Sequence, residues 1–261
     1  MIKKIYRRIR FEIFNRKNIV INSLRINRDK KQIKELKNIY KNQRCFIVGN
    51  GPSLKVDDLE KLHNEVCFAT HRIYEIYDNT SWRPTYYCAQ DSALVNVSAN
   101  EISKKIKSKK IIGLFPNRGY KKIDNAIYAK IKYEEFYPEL PKFSEDMEEG
   151  FYEGYTVSYM CLQMAMYMGF KEIYLLGIDH SYSVDLNPDG TVKRKNIDDH
   201  FSKNDIITAL PQTYKSTLAY KSAKKYAESH GIKIYNATRG GCLEVYERVN
   251  FDSLFSKEEK L

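Results

Sequence analysis

Cys45-Phe46-Ile47-Val48-Gly49-Asn50-Gly51-Pro52-Ser53 opens the folded part of this 261-residue chain. Four apolar residues followed by glycine read as a short buried strand running into a tight turn. The same texture recurs downstream. Residues 66–70, 85–89, 111–115, 172–178 and 232–235 are further strand-like apolar runs. Helical stretches lie between them: a short one over 57–62, one apolar nearly all round over 156–168, and an amphipathic one over 211–230. A helix apolar on every face is a buried helix. Gly169 and Gly231 follow the two longer stretches, as C-cap glycines do. Strands alternating with helices predict a Rossmann-like α/β fold, a mostly parallel sheet covered by helices on both faces. Ligands in such sheets bind beyond the carboxyl ends of the strands. That rule singles out Asn50 and Gly51, His71 and Arg72, Gln90 and Asp91, residues 179–182 and residues 236–241.

Composition narrows the classes. The chain is 43% hydrophobic, enough for a large core, and 30% charged, as in soluble proteins. No apolar run approaches the ~20 residues that span a bilayer, and no secretory signal pattern is present. Cys45, Cys67, Cys88, Cys161 and Cys242 are odd in number and form no Cys-x-x-Cys pair. A reduced, cytoplasmic setting without structural zinc is expected. Met160, Met164, Met166 and Met168 read as core packing. The net charge is +11, and residues 1–42, with 14 Lys+Arg against 3 Asp+Glu, carry all of it. The chain therefore divides into a basic amphipathic helical extension (1–42) and a nucleotide-binding α/β transferase domain (43–261), and a nucleic-acid partner is not expected. In the extension Ile2, Ile5, Tyr6, Ile9 and Ile13 share one helical face, ringed by Lys3, Lys4, Arg7, Arg8 and Arg10. Such a helix either lies on an anionic membrane, through residues 1–27 at the inner face, or docks on the fold with a solvated basic face.

Several strand ends carry chemistry. Gly49, Asn50, Gly51, Pro52 and Ser53 read as a phosphate or nucleotide cradle, with Pro52 at a first helical position and Ser53 as cap, or as a tight structural turn. The motif is neither a P-loop nor a complete dinucleotide fingerprint. His200 lies in Asp198-Asp199-His200-Phe201-Ser202, within a long loop over 180–210. It is a candidate general base, the alternative being a solvated loop histidine. His180 is the second candidate. Asp179 closes the strongest strand, where a carboxylate holds a metal, a ribose or a base, or caps the next turn; Asp91 has the equivalent position. Asn236-Ala237-Thr238-Arg239-Gly240-Gly241 offers the Arg239 fork to a phosphate, with Thr238 and Gly240 beside it, or is a hairpin-like turn.

Phe46-Ile47-Val48-Gly49-Asn50-Gly51-Pro52-Ser53-Leu54-Lys55 resembles the opening of the bacterial lipooligosaccharide sialyltransferases. So does Tyr159-Met160-Cys161 followed by Gly169-Phe170-Lys171-Glu172-Ile173-Tyr174-Leu175-Leu176-Gly177-Ile178-Asp179, and so does Ile232-Lys233-Ile234-Tyr235. Residues 44–255 also look like the broader 6-hydroxymethylpterin diphosphokinase-like family, of which residues 236–245 are typical. The resemblance implies that Asn50, Gly51 and Ser53 bind nucleotide, that His200 is the base, that Tyr182 or Tyr214 touches phosphate, and that Tyr155, Thr156 and Ser158 lie near the donor. Three positions depart from the sialyltransferases: His71, followed by Arg72, replaces an Asn after the second strand, Gln90-Asp91 replaces Asn-Pro after the third, and Ser181 stands where a tyrosine is expected two residues past Asp179, with Tyr182 one further on.

Two activities follow. One is a glycosyltransferase using a nucleotide sugar, CMP-linked in the resembling enzymes, on a cell-surface glycan or lipid-linked acceptor, with no obligatory cofactor. The other is a Mg²⁺-dependent diphosphotransferase using ATP, with Asp91, Asp179, Asp198 or Asp199 as metal ligands. A catalytically silent nucleotide-binding partner of a cell-envelope assembly is a third class, and a homo-oligomer is compatible with all three.

Overall fold

The computed structural model describes residues 2–202 and 208–255, with side chains from Tyr6 onward. The elements run α1 (Ile2–Lys34), β1 (Arg44–Val48), α2 (Val56–Glu60), β2 (Cys67–Thr70), β3 (Tyr86–Ala89), α3 (Ser92–Val97), α4 (Ala99–Lys105), β4 (Lys109–Leu114), β5 (Ala126–Lys132), β6 (Phe151–Tyr152), α5 (Val157–Tyr167), β7 (Glu172–Leu176), β8 (Val184–Leu186), β9 (Val192–Arg194), α6 (Thr213–Ser229), β10 (Lys233–Asn236) and β11 (Glu247–Arg248). Nine strands form one sheet in the order β11-β10-β7-β1-β2-β3-β4-β5-β6. Every pairing in it is parallel. The expected α/β architecture is therefore present.

Alternation along the strands builds two cores. Cys45 and Ile47 of β1 point to one face, with α5, α6 and the end of α1. Phe46 and Val48 point to the other, with α2, α3 and α4. All eleven residues of α5 are buried, as its unbroken apolar sequence requires. Full burial of each Leu or Met side chain there stabilises the fold by about 1.5–3 kcal/mol.

The chain builds outward from β1 through β6, then returns to place β7 on the opposite side of β1. The strand order reverses between β1 and β7, and a crevice opens there at the strands' carboxyl ends. Strand β7 stops at Leu176 instead of running to residue 178, because Gly177 turns with φ +64° against Leu54.

Three features differ from expectation. Strands β5, β6 and β11 are added to the sheet. Residues 180–210 are not a plain loop, since β8 and β9 form an antiparallel hairpin inside them; residues 203–207 of that segment lie outside the described residues. The third concerns the turn after β1. Helix α2 begins at Val56 with Lys55 as its N-cap and is only five residues long, so Pro52 is not a first helical residue and Ser53 is not a cap.

Helix α1 is a single helix of 33 residues, about 50 Å long at 1.5 Å per residue. Its second half is docked. Asn22 donates to the carbonyls of Phe115, Pro116 and Arg118. Asp29, 1% exposed, accepts from the Tyr128 N–H at 2.9 Å and from Arg28. Without that carboxylate a buried backbone donor on β5 would be orphaned, a cost of about 1–3 kcal/mol. The first half is different: Tyr6, Ile9, Phe11, Ile13 and Phe14 are exposed. The facing of Ile2 and Ile5 lies outside the described side chains.

Candidate functional site

The turn after β1 is locked to the turn after β7. Gly51 N–H donates to Gly177 O at 2.9 Å, and Ser53 Oγ donates to Asp179 Oδ2 at 2.7 Å. A Cβ on Gly49 would lie 2.4 Å from Gly177 O, and one on Gly51 would lie 1.8 Å from Asp179 Oδ2. These two glycines are there because the two turns touch. Asp179 is the hub of the contact, since its backbone oxygen also accepts from Cys242 N–H at 2.6 Å. Gly241, at φ +73°, packs on the Asp179 backbone.

Beyond this lock lies a cleft of three contiguous lobes that share His71, Thr156, Val157 and Tyr182. The lobe against the glycine turn, about 90 Å³, is lined by Gly49, Asn50, Gly51, Ser158, Asp179, His180, Ser181 and His200. The second, about 210 Å³, shares Asp199 with the first and adds Arg72, Tyr155 and Phe201. The third, about 530 Å³, adds Gln90, Asp91, Arg118, Tyr133 and Glu153. Helix α5 opens into all three. Its N-cap Thr156 accepts from Ser158 N–H, and the helix runs away from the cleft. A helix of this length presents free N–H groups and a partial positive charge at its start, a ready site for phosphate. The helix terminus that faces the ligand side is thus that of α5, not that of α2.

The histidines separate. His71 and His180 both sit at positive φ, +45° and +52°, at strand ends. Burial lowers each pKa to about 4; Asp91 opposes it at His71 and Asp185 opposes it at His180. His180 Nε2 donates to Thr217 Oγ1 at 2.7 Å, while the Thr217 hydroxyl donates to Thr213 O. Both rings are neutral and are poor proton acceptors. His200 lines two lobes. Its neighbours fix its segment: Asp199 accepts from Ser183 Oγ at 2.8 Å, and Phe201 N–H donates to Asn50 O at 2.9 Å. The Asn50 amide donates to Thr70 O at 3.0 Å, leaving its Oδ1 buried without a partner at the cleft. Burial raises the Tyr182 phenol above its ordinary pKa.

Other candidates are committed elsewhere. Arg239 forms a fork with Asp58 at 2.8 Å and a further pair with Asp252, and with Thr238 and Gly240 it does not line the three lobes. Thr238 Oγ1 accepts from Ile178 N–H and so holds the turn after β7. Asp91 caps α3 through Ala93 and Leu94 and accepts from Thr208. Pro52 is exposed. Among the described residues no three His, Cys, Asp or Glu side chains gather as a metal site.

One cleft residue escaped the sequence reading. Glu153 accepts from Tyr155 N–H at 2.8 Å through Oε1, while its Oε2 is buried and unpartnered. Burial pushes its pKa up to about 7, against Tyr155 N–H, Arg118 and Lys215. The available signal was an acid embedded among Phe151, Tyr152 and Tyr155 just ahead of a buried helix. With a folded-state pKa raised above the ordinary 4.5, the native state binds more protons than the unfolded chain between those values. Ionised Glu153 therefore costs stability, increasingly from pH 4.5 to 7 and fully above 7. Glu153→Gln is expected to raise Tm by about 2–6 °C at pH 8, with the gain shrinking toward pH 5. Scanning calorimetry at the two pH values checks it, and a gain independent of pH contradicts it.

The structure of the MAf glycosyltransferase from Magnetospirillum magneticum AMB-1 is similar to this chain, with a TM-score of 0.50 at 15% identity. The match covers 89% of this chain and 39% of that one, so the present chain spans well under half of the larger protein. At that identity the likeness is one of fold. No functionally curated protein matches the chain. The model of the 6-hydroxymethylpterin diphosphokinase MptE-like family matches residues 17–185, from the docked half of α1 through the glycine turn, α5 and the turn after β7, and the chain belongs to that family.

Proposed function

We propose that the chain is a nucleotide-sugar-dependent glycosyltransferase. The donor phosphate lies between the turn at residues 49–51 and the start of α5, and His200 is the general base on the acceptor hydroxyl. The observation that carries this reading is the small lobe, which is lined at once by the glycine turn, by Thr156 and Ser158 at the α5 N-terminus, and by His200. An anion cradle next to a base is what displacement of a nucleotide by a hydroxyl requires: the dipole and N–H groups stabilise the departing phosphate while the base takes the proton. Tyr182 lines all three lobes, and in this reading its hydroxyl donates to the leaving group. A CMP-linked sugar is the first donor to try, on the likeness of residues 46–55 and 169–179 to the sialyltransferases. Donor hydrolysis with and without EDTA tests the reading. The second reading, a Mg²⁺-dependent diphosphotransferase acting from ATP, is favoured by the description of the matching family.

The acceptor in this reading is a glycan or glycolipid at an anionic membrane surface. Support comes from α1, whose exposed Tyr6, Phe11, Ile13 and Phe14 alternate with Arg7, Arg8 and Arg10. Each basic residue near such a surface contributes about 1 kcal/mol. Among the described residues no helix is long and apolar enough to cross a membrane. Arg7→Glu, Arg8→Glu and Arg10→Glu together are expected to cut co-sedimentation with phosphatidylserine-containing vesicles by about 10-fold or more at physiological salt. They are expected to spare turnover of a soluble acceptor. Equal co-sedimentation of the two proteins would refute the surface role.

A further inference from the structure

The 530 Å³ lobe differs in chemistry from the lobe at the glycine turn. The small lobe is compact and sets the start of α5 beside the carboxylates of Asp179 and Asp199. The large lobe brings together the acceptors of Gln90, Asp91 and Glu153 and the donors of Asn117 and Arg118. Gln90 is 6% exposed and its Oε1 has no partner. Glu153 Oε2 is likewise buried and unpartnered. His71 Nδ1, where the lobes meet, is a third such atom. Each unpaired buried polar atom is costly to the fold, and native proteins rarely carry several around one cavity. These atoms have no open surface, so a ligand hydroxyl pairs with Gln90 or Glu153 only as the side chain turns toward the lobe it lines. Phosphate or carboxylate, which bring only acceptors, match Arg118 but not Gln90, Asp91 or Glu153. Hydroxyl groups fit. Tyr133, Tyr155 and Phe115 line the same lobe; Arg118 covers one face of Phe115 and Lys215 one face of Tyr155, and the remaining ring surface suits the C–H side of a pyranose. The volume falls within the range of small-molecule sites, roughly 300–1,000 Å³.

We infer that this lobe is a subsite for a polyhydroxylated sugar ring, held through its hydroxyls by Gln90 and Glu153. The inference rests on the glycosyltransferase reading and deepens it, by separating a phosphate lobe from a sugar lobe along one cleft. The Glu153 carboxyl, protonated in part near neutrality, both donates to and accepts from hydroxyls. The ring belongs to the donor or to the acceptor, and the test distinguishes the two.

Calorimetry compares wild type, Glu153→Ala, Glu153→Gln and Gln90→Ala, each checked for folding by circular dichroism. The probes are CMP and UDP, CMP-N-acetylneuraminate and UDP-N-acetylglucosamine. For a donor ring, Glu153→Ala binds the free nucleotides as wild type does but loses about 10-fold for the nucleotide sugar, a difference of about 1.4 kcal/mol. Glu153→Gln, which keeps an acceptor, loses less, and Gln90→Ala gives an independent loss if Glu153→Ala does not fold. A parallel arm follows saturation transfer to the methyl glycosides of the same sugars. Transfer that vanishes in the variants while nucleotide-sugar affinity holds assigns the ring to the acceptor. If wild type binds no nucleotide, the nucleotide-sugar reading fails, and the methyl glycosides still decide the lobe. Equal loss for nucleotide and conjugate, or no variant-dependent loss in either arm, overturns the inference.

Discussion

Gly51→Val is expected to lower nucleotide affinity by at least about 100-fold, or 2.7 kcal/mol, in a protein that still folds. The reason is steric and local. The added Cβ would sit 1.8 Å from Asp179 Oδ2 and 2.9 Å from Gly177 O, so the turn must move away from β7. That movement breaks the Gly51 N–H bond to Gly177 O and the Ser53 hydroxyl bond to Asp179. Both sides of the small lobe are then displaced, and phosphate binding tolerates little displacement. The flanking core residues Phe46, Val48, Leu175 and Leu176 lie inside the sheet, and none is among the atoms nearest the added Cβ. Gly51→Ala combined with Asp179→Ala removes the colliding carboxylate and should bind nucleotide more tightly than Gly51→Ala alone. Isothermal calorimetry on folded protein checks both statements. Wild-type affinity in folded Gly51→Val would show that the turn is structural only.

His200→Ala is expected to lower kcat by about 10²–10⁴, the usual contribution of a general base, with donor affinity changed less than about threefold. Three histidines face the cleft, and burial distinguishes them. His71 and His180 are held neutral with pKa values near 4, too low for an effective proton acceptor at neutral pH. His180 also has its Nε2 committed to Thr217. His200 is carried on a segment anchored to Ser183 through Asp199 and to Asn50 through Phe201, which sets it at the mouth of the small lobe. Turnover should fall with His200→Ala and survive His180→Ala. Near-normal turnover of His200→Ala together with a dead His180→Ala or His71→Ala would move the base to a strand end.

The fold was legible where sequence and burial coincide. The central strands, β1, β2, β3, β4, β7 and β10, are short apolar runs because both their faces are covered. Helix α5 announces itself by having no polar face. Strands at or near the sheet's ends were harder to read. Strand β5 carries Lys130 and Lys132, β6 is two residues long, and β11 is Glu247–Arg248; exposure at an edge permits charges that mask a strand. The hairpin of β8 and β9 is polar and half-exposed, so its sequence reads as a loop.

The site was legible by position and less so by role. The strand-end rule gathered Asn50, Gly51, His71, Gln90, Asp179, His180 and Tyr182, all of which line the cleft. Role depends on partners that are far apart in sequence. Ser53 and Asp179 meet across 126 residues, and Arg239 meets Asp58 across 181. No local pattern reveals that Arg239 is already paired. Glu153 follows β6, an edge strand of only two residues that the sequence does not betray, and belongs to no motif; its perturbed carboxyl arises chiefly from burial.

The most direct measurement of the central claim is nucleotide release from CMP-, UDP- and GDP-sugars, and AMP release from ATP, with and without EDTA, in wild type and His200→Ala. The account predicts release from one class of nucleotide sugar that persists in EDTA and falls by about 10²–10⁴ in His200→Ala. AMP release from ATP that EDTA abolishes, with no nucleotide sugar consumed and no dependence on His200, would contradict it.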